Sequence, residues 1–418
     1  MKTHALVIQL FGLLVGTSLG LAAANNAVDL KVELKGVVEI GGTKVAYLEF
    51  TQPIGGTLNI ILREGERMGE IEVLQINGAE RKVTISARGE KRVLQFESAG
   101  PTGILIHPSS PQPESGDSIA LCLEKMGLDQ LLILYVALAN RTVLRPAQLP
   151  ACELSLHTRE NISKPDLMKA IETALKEKDI VLKPLGNKFL VVARQGDVGL
   201  VTPEVKAASD SLVSTLAEIP GSKADELLPP GMINFPSTDI NQVLQIYQEL
   251  INRTIIRPMV LASQTIIFRN AVPLTRSEVI YALTATLALN GISVIPAGEK
   301  FVFVSPTAQK EMAKAILARK LAAIAAGTNS IPAGSINLNM APLGMVTQLY
   351  REVSGHELEL ESGLPDVRIL FRNQTPLTPA EALQGFEYAL GWNQLVIEKT
   401  ENKFILKRAG APRREGAV

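Results

Sequence analysis

The residues able to do chemistry are few and scattered. The chain has four histidines and two cysteines. His107, His157 and His356 fall in different segments, with no spacing that would gather them on one metal ion. His356 and its neighbour Glu357 lie just after a helix end, which suits a solvated side chain better than a ligand. Glu357, Glu359 and Glu361 alternate along one strand face and read as a solvated edge. A glycosidase pair would also need a sugar cleft with aromatics, and the sole tryptophan, Trp392, aligns with a core position of a helix. There is no G-x-S-x-G elbow, no Walker loop and no H-E-x-x-H. Cys122 lies between Leu121 and Leu123, out of phase with the apolar face, whereas Cys152 is in phase with Leu154 and Leu156. A disulfide and two unpaired thiols, one of them buried, both stand open. No catalytic residue, metal ligand or cofactor is expected.

Composition narrows the partners. Lys plus Arg and Asp plus Glu both number 42, so no field of one sign draws the chain to nucleic acid. Aromatics are only 4%, too few for a base-stacking platform. No small-molecule substrate is evident, which leaves protein partners. Lys2, the apolar run Ala5 to Leu21 and Ala22-Ala23-Ala24 read as a secretory signal over residues 1–24, with a retained inner-membrane anchor as the alternative. Either places the chain in the periplasm or cell envelope. No later stretch looks able to span a bilayer; Ile316 to Ala326 is rich in alanine but contains Arg319 and Lys320.

The elements that must position any functional surface recur. Phe268-Arg269-Asn270 and Pro273-Leu274-Thr275 return as Phe371-Arg372-Asn373 and Pro376-Leu377-Thr378. The same offset carries Ile233 to Ile336, Tyr247 to Tyr350 and Lys300-Phe301 to Lys403-Phe404. A diverged copy lies upstream, where Asn140-Arg141-Thr142 answers Asn252-Arg253-Thr254 and Tyr135 answers Tyr247. Recurrence of this kind decides the fold before any other signal. In the second copy Asp239 can cap a helix whose apolar stripe is Ile240, Val243, Leu244, Tyr247 and Ile251. Thr275 with Glu278 forms a capping box for a second helix, as Thr378 with Glu381 does in the third copy. Ile292–Ile295 and Phe301–Val304 form a hairpin across Gly298. Each copy reads β-α-β-β-α-β-β.

Residues 28–98 read instead as short alternating strands between glycine turns, a small sheet or barrel. The expected class is α+β: a small N-terminal all-β domain, then three repeats joined by partly helical linkers. The expected limits are a signal at 1–24, the β-domain at 28–98, a Pro/Ser linker at 99–117 and repeat one at 118–194. A linker at 195–230, repeat two at 231–305, a helical linker at 306–333, repeat three at 334–408 and a tail at 409–418 complete the chain. Leu274 and Leu377 are expected to be buried where strand meets helix, each in a domain that melts independently.

Two resemblances follow from these residues. The order Leu34-Lys35-Gly36-Val37-Val38, then Leu62-Arg63-Glu64-Gly65-Glu66, resembles the periplasmic homology-region domain of the type II secretion inner-membrane protein C and the related pilus lipoprotein domain. The repeats resemble secretin N-terminal domains of the short secretin-and-TonB-receptor type, carried by Phe268 to Leu274 and Phe371 to Leu383. The secretin pore domain is not expected, since the chain stops shortly after Lys407-Arg408. The resemblance implies a non-enzymatic scaffold of a type II secretion or type IV pilus-like machine. It would act by domain stacking and docking on a secretin or other machine component, with self-association into a ring among its options. A periplasmic peptide- or ligand-binding adaptor of a TonB-type signalling system is the alternative. A K-homology RNA domain is disfavoured because the G-x-x-G loop is missing. Leu134, Ile246 and Leu349 occupy one aligned position at the margin of the first helix, and this margin is the expected contact with a neighbouring domain or subunit.

Overall fold

The computed structural model describes residues 31–40, 43–51, 57–77, 80, 82–95, 104–106, 119–158, 161–214, 216, 225–261, 264–319, 329–399 and 404–409. The signal segment, most of the Pro/Ser linker with His107, and nearly all of the tail lie outside the described residues. The fold is α+β, and its described part divides into two compact units: Met1–Val143 with Gln148–Gly196, and Leu144–Ala147 with Asp197–Val418. Among the described residues no helix is long and apolar enough to cross a membrane.

The first unit begins with β1 (Val32–Ile40), β2 (Thr43–Thr51), β3 (Thr57–Arg63), β4 (Arg67–Met68), β5 (Ile71–Asn77), β6 (Lys82–Ala87), β7 (Glu90–Gln95) and β8 (Ile104–Ile106). Repeat one follows as β9 (Ile119–Gly127), α1 (Leu128–Ala139), β10 (Thr142–Leu144), β11 (Glu153–Thr158), α2 (Lys164–Lys176), β12 (Ile180–Leu185) and β13 (Phe189–Arg194). The β-domain is not a barrel. It is two sheets, one of which passes without a break into repeat one in the order β3-β2-β1-β9-β11-β8; the other runs β4-β5-β6-β7. The shared sheet is buried on both faces. Val37, Ala46, Leu48 and Leu62 meet the second sheet, whereas their neighbours Val38, Val45, Tyr47 and Ile61 meet the core under α1 and α2. A strand covered on both sides has no polar phase. That corrects the expectation for Cys122: both faces of β9 are apolar, and Cys122 belongs to the core between the sheets while Leu121 and Leu123 belong to the core under the helices. Gly36 permits the close approach of β1 to β9, because a Cβ there would lie 2.7 Å from Leu123 Cδ2.

The second unit contains α3 (Pro203–Ser214) and β14 (Leu227–Leu228), then repeat two: β15 (Asn234–Asp239), α4 (Ile240–Ile251), β16 (Thr254–Ile256), β17 (Thr265–Arg269), β18 (Leu274–Thr275), α5 (Arg276–Leu289), β19 (Ile292–Ala297) and β20 (Phe301–Pro306). The linker helix α6 (Lys310–Leu317) leads to repeat three: β21 (Asn337–Pro342), α7 (Leu343–Ser354), β22 (Leu358–Leu360), β23 (Arg368–Arg372), α8 (Pro379–Gly391), β24 (Leu395–Lys399) and β25 (Phe404–Arg408). All three repeats share the order β-α-β-β-α-β-β, with the two-residue β18 added before the second helix in repeat two. In repeats two and three the strand after the first helix joins the final hairpin in one sheet, β16-β20-β19 and β22-β25-β24, with a parallel first pair and an antiparallel hairpin.

Local chemistry explains the common order. Asp239 caps α4 by accepting from Asn241 N–H at 2.8 Å. The capping boxes Thr275/Glu278 and Thr378/Glu381 both close, and Ser163 caps α2 in the same place. The first helices end on a left-handed residue: Asn140 (φ 54°), Asn252 (φ 50°) and Gly355 (φ 71°). The linker helices are not free spacers. Helix α3 lies along α5 and β19, and α6 places Ala313 and Ile316 in the core that spans repeats two and three. Leu274 and Leu377 are both buried as expected, but Ile256, Phe301 and Phe303 of repeat two share one core with repeat three. Independent melting of these two repeats is therefore replaced by a joint core.

Candidate functional site: the seat between repeats two and three

The asparagine of the recurring Phe-Arg-Asn motif is a structural staple. Asn270 Oδ1 accepts from Ile233 N–H at 3.0 Å while its Nδ2 donates to Pro229 O at 2.7 Å. Asn373 repeats both bonds, with Ile336 N–H at 2.9 Å and Pro332 O at 2.8 Å. In repeat one the aligned residue is Thr158, whose Oγ1 accepts from Leu121 N–H at 3.0 Å. The staple holds the first strand of each repeat on its neighbour and leaves no free group for a ligand.

A second recurring residue holds the hairpin. Arg141 donates to Gly186 O at 2.7 Å, and Arg253, buried, donates to Gly298 O at 2.8 Å. Burial lowers the Arg253 pKa from its ordinary value. In repeat three the aligned residue is His356, exposed and stacked beside Phe404 at 5.2 Å between ring centres. An imidazole is too short to serve as this clamp.

Without the clamp, the third hairpin takes a different register. In repeats one and two the pairs nearest the turn are Leu185 with Phe189 and Ala297 with Phe301, each enclosing three residues. In repeat three it is Lys399 with Phe404, enclosing four. A shift of one residue sends every side chain of a strand to the other face. Phe404 consequently packs inward on Tyr350, 6.2 Å between centres, so Phe301 does not correspond structurally to Phe404, while Lys403 lies outside the described residues. Phe301 and Phe303 point away from their own repeat and form a seat for α8 of the next.

The seat is aromatic and closely fitted. Phe301 and Phe303 meet Tyr388 edge-on, at 5.8 Å and 5.1 Å between centres, and Phe303 also meets Trp392 at 5.9 Å. Gly385 lets the helix descend: a Cβ there would stand 2.5 Å from Phe371 Cε2 and 3.1 Å from Phe301 Cε1. Gly391 likewise admits Ile316 of α6, whose Cγ2 would lie 2.8 Å from a Cβ. The rim is polar. Gln374 N–H donates to Thr254 Oγ1 at 3.0 Å, Gln248 Nε2 donates to Gln374 Oε1 at 3.1 Å, and Lys300 Nζ donates to Pro376 O at 3.3 Å. Burial raises the Tyr388 phenol pKa, and its oxygen accepts from Gln384 Nε2 at 2.8 Å. An apolar centre inside a polar rim is the anatomy of a protein–protein contact.

The expected interface residues do not come together. Leu134 is wholly buried in the core under α1 and α2, Leu349 is half-buried against the core of its own repeat, and Ile246 is exposed. Helix α1 is apolar on nearly every side, so its margin is core rather than surface. The aromatic centre of the contact between repeats two and three comes from the second helix of repeat three, and the first helix of repeat two contributes Gln248 to its rim. A signal for this was present in aligned positions of the second helix, which run Thr173, Ala285, Tyr388 and Glu177, Leu289, Trp392. Polar and exposed in α2, they become apolar and buried in α5 and α8. Trp392 thus fills a contact between repeats rather than a core within one.

Neither cysteine forms a disulfide among the described residues, and both are buried. Cys122 Sγ lies 3.2 Å from His157 Nδ1, across a register pair of β9 and β11. Among the described residues no group of three or more His, Cys, Asp or Glu side chains is placed to hold a metal ion. Comparison with protein-family models, with curated proteins and with solved structures finds no match to this chain.

Proposed function

We propose that the protein is a non-enzymatic scaffold of the cell envelope. It would belong to a type II secretion or type IV pilus-like machine and act by stacking its domains and docking on a secretin-type partner. The observation that carries this reading is the seat of α8 on the sheet of repeat two. It is a helix-on-sheet contact between copies of one domain, built from Phe303, Tyr388 and Trp392 around a glycine that only close approach requires. Buried aromatic clusters of this kind dominate the energetics of protein contacts. A chain that already joins two of its own domains this way has the surface vocabulary of a stacked assembly. The export signal read from residues 1–24 supports placement in the periplasm.

The test is capture. The full chain, exported with an affinity tag, is used to pull down the N-terminal domains of the secretin from the same cells, with native mass measured in parallel. Recovery of the secretin in a periplasmic fraction supports the proposal. Retention of the chain in the cytoplasm, or a monomer that captures no envelope component, overturns it.

A further inference from the structure

Strand β19 is the outer strand of its sheet, in the order β16-β20-β19. Its pairing with β20 aligns Pro296 with Val302 and Ile292 with Pro306. Proline has no N–H, so both of these pairs are of the type that exchanges no hydrogen bonds, and bonded and non-bonded pairs alternate along an antiparallel ladder. Ile292, Val294 and Pro296 therefore turn their remaining backbone groups away from β20, toward the open edge. Among the described residues no strand or side chain pairs with the Val294 N–H or carbonyl.

That edge lines a groove of about 540 Å³ within the second unit. Helix α3 forms one wall through Val205 and Ala208, and Lys310 and Lys314, one turn apart on α6, line another part. The lining is mainly apolar, and its charged residues are these two lysines and Glu204, which pairs with Lys310, while Lys314 pairs with Glu311 of its own helix. The lining itself is net positive by one charge, and an acidic residue of a bound chain would compete with these exposed carboxylates for the lysines. A volume of this size matches ordinary ligand sites, but a small apolar molecule would leave the ladder groups of Val294 unmatched. An extended chain would match them.

We propose that the groove takes an extended peptide segment of a partner protein, added as a strand to the outer edge of β19. Main-chain hydrogen bonds to Ile292 and Val294 supply affinity, alternate apolar side chains rest on the groove floor, and an acidic residue meets Lys310 and Lys314. This is strand addition between a sheet edge and a helix. Pro296, lacking an N–H, ends the ladder and limits the added strand to a few residues. The inference does not rest on the scaffold reading: peptide binding can fail while secretin capture succeeds, and the reverse.

The test uses the full chain and a fluorescein-labelled hexapeptide, Thr-Val-Thr-Val-Glu-Val, followed by anisotropy. A second copy of the peptide is N-methylated at alternate residues, so that one edge cannot pair. The unmodified peptide should bind with micromolar Kd and the methylated one about tenfold or more weaker. Val294→Pro removes an outward N–H and alters one lining side chain; it should weaken binding by a similar factor and Val294→Ala by clearly less, with circular dichroism and Trp392 emission unchanged. Lys310→Glu with Lys314→Glu should exchange the preference for Glu in the peptide for Lys. No binding up to ~1 mM peptide, or equal binding of both peptides, overturns the proposal. So does binding indifferent to Val294→Pro, which would mark the groove as a site for a compact apolar molecule.

Discussion

Replacing Phe303 with alanine should separate repeats two and three before either unfolds. The ring is fully buried and its partners, Tyr388 and Trp392, both belong to the other repeat. Truncation of a buried phenylalanine costs about 3–5 kcal/mol. Two tilted or edge-on ring contacts, each worth about 0.5–1.5 kcal/mol beyond area, are lost within that figure, so about 4 kcal/mol is the working value. For a unit of this size, each kcal/mol lowers Tm by about 2–4 °C, and the drop should be roughly 8–16 °C. The chain carries its own reporter: Trp392 is the sole tryptophan, and it is buried in the seat. In the parent protein its emission should be blue-shifted and should change together with the far-ultraviolet signal of the second unit. In Phe303→Ala the emission should move to the red at a lower temperature than the loss of helix. A single coincident transition lowered by less than about 3 °C, with Trp392 emission unchanged, would refute the shared core.

The other predictions follow from single contacts. Gly385→Ala should destabilise by about 1–3 kcal/mol, because its Cβ would strike Phe371 and Phe301. Gly344→Ala, on α7 with open space around it, should stabilise by about 0.5–1 kcal/mol, and chemical denaturation of the pair measures both signs. Asn373→Ala leaves the buried Ile336 N–H without its acceptor and should cost about 1–3 kcal/mol; equal midpoints for variant and parent would dismiss the staple. Thiol titration should count no reactive cysteine in the native chain and two after denaturation, since Cys122 and Cys152 are both buried and neither is in a disulfide. Hydrogen bonds from Lys31 and then Lys35 hold the Glu33 carboxyl at about 2, below its ordinary 4.5. Its stabilising contribution is complete above the ordinary value and is lost as pH falls toward 2. Carboxyl NMR should give a midpoint near 2, returning to the ordinary range in Lys31→Ala with Lys35→Ala.

The element order of the repeats was legible because each start and stop has a side-chain cause. Asp239 caps its helix as its place before the apolar stripe predicts, and Thr275 and Thr378 do so where their spacing to Glu278 and Glu381 predicts. The apolar stripe of α4 is buried residue for residue at Ile240, Val243, Leu244, Tyr247 and Ile251. What escaped was everything decided by the second layer around an element. Cys122 looked out of phase only because a strand was assumed to have one apolar face; β9 has two. Leu134 looked marginal for the same reason on α1. The seat escaped because Phe404 matches Phe301 in the sequence. Only the pairing of Lys399 with Phe404, against Ala297 with Phe301, reveals that the two rings face opposite ways. The ladder register, set by turn length and by whether Arg253 or His356 stands at the clamp, is a tertiary quantity with no periodic signature.

That register has a consequence for how such domains can stack. In repeat two the outward face of the last sheet carries Thr254, Ile256, Ile295 and Phe303, and it receives a helix. In repeat three the shift turns Phe404 and Leu406 inward, where they join Leu358 and Ile397, whose counterparts Ile255 and Val294 keep the same face in repeat two. The opposite face then presents Glu359, Glu398, Ile405 and Lys407, with Glu398 and Lys407 ion-paired. Lone exposed ion pairs contribute little to stability; their effect here is on what the face accepts. A helix like α8, with Tyr388 and Trp392 foremost, would have to desolvate those charges and would gain no aromatic partner. The outer face of α2, with Thr173, Lys176 and Glu177 exposed, is equally unsuited to enter a seat like that of Phe303. Polar outer faces on flanking repeats are how repeat arrays stop growing. The aromatic seat between repeats two and three is therefore a contact specified within the chain, and a partner of the kind proposed would meet other surfaces, the outer edge of β19 being the one proposed above.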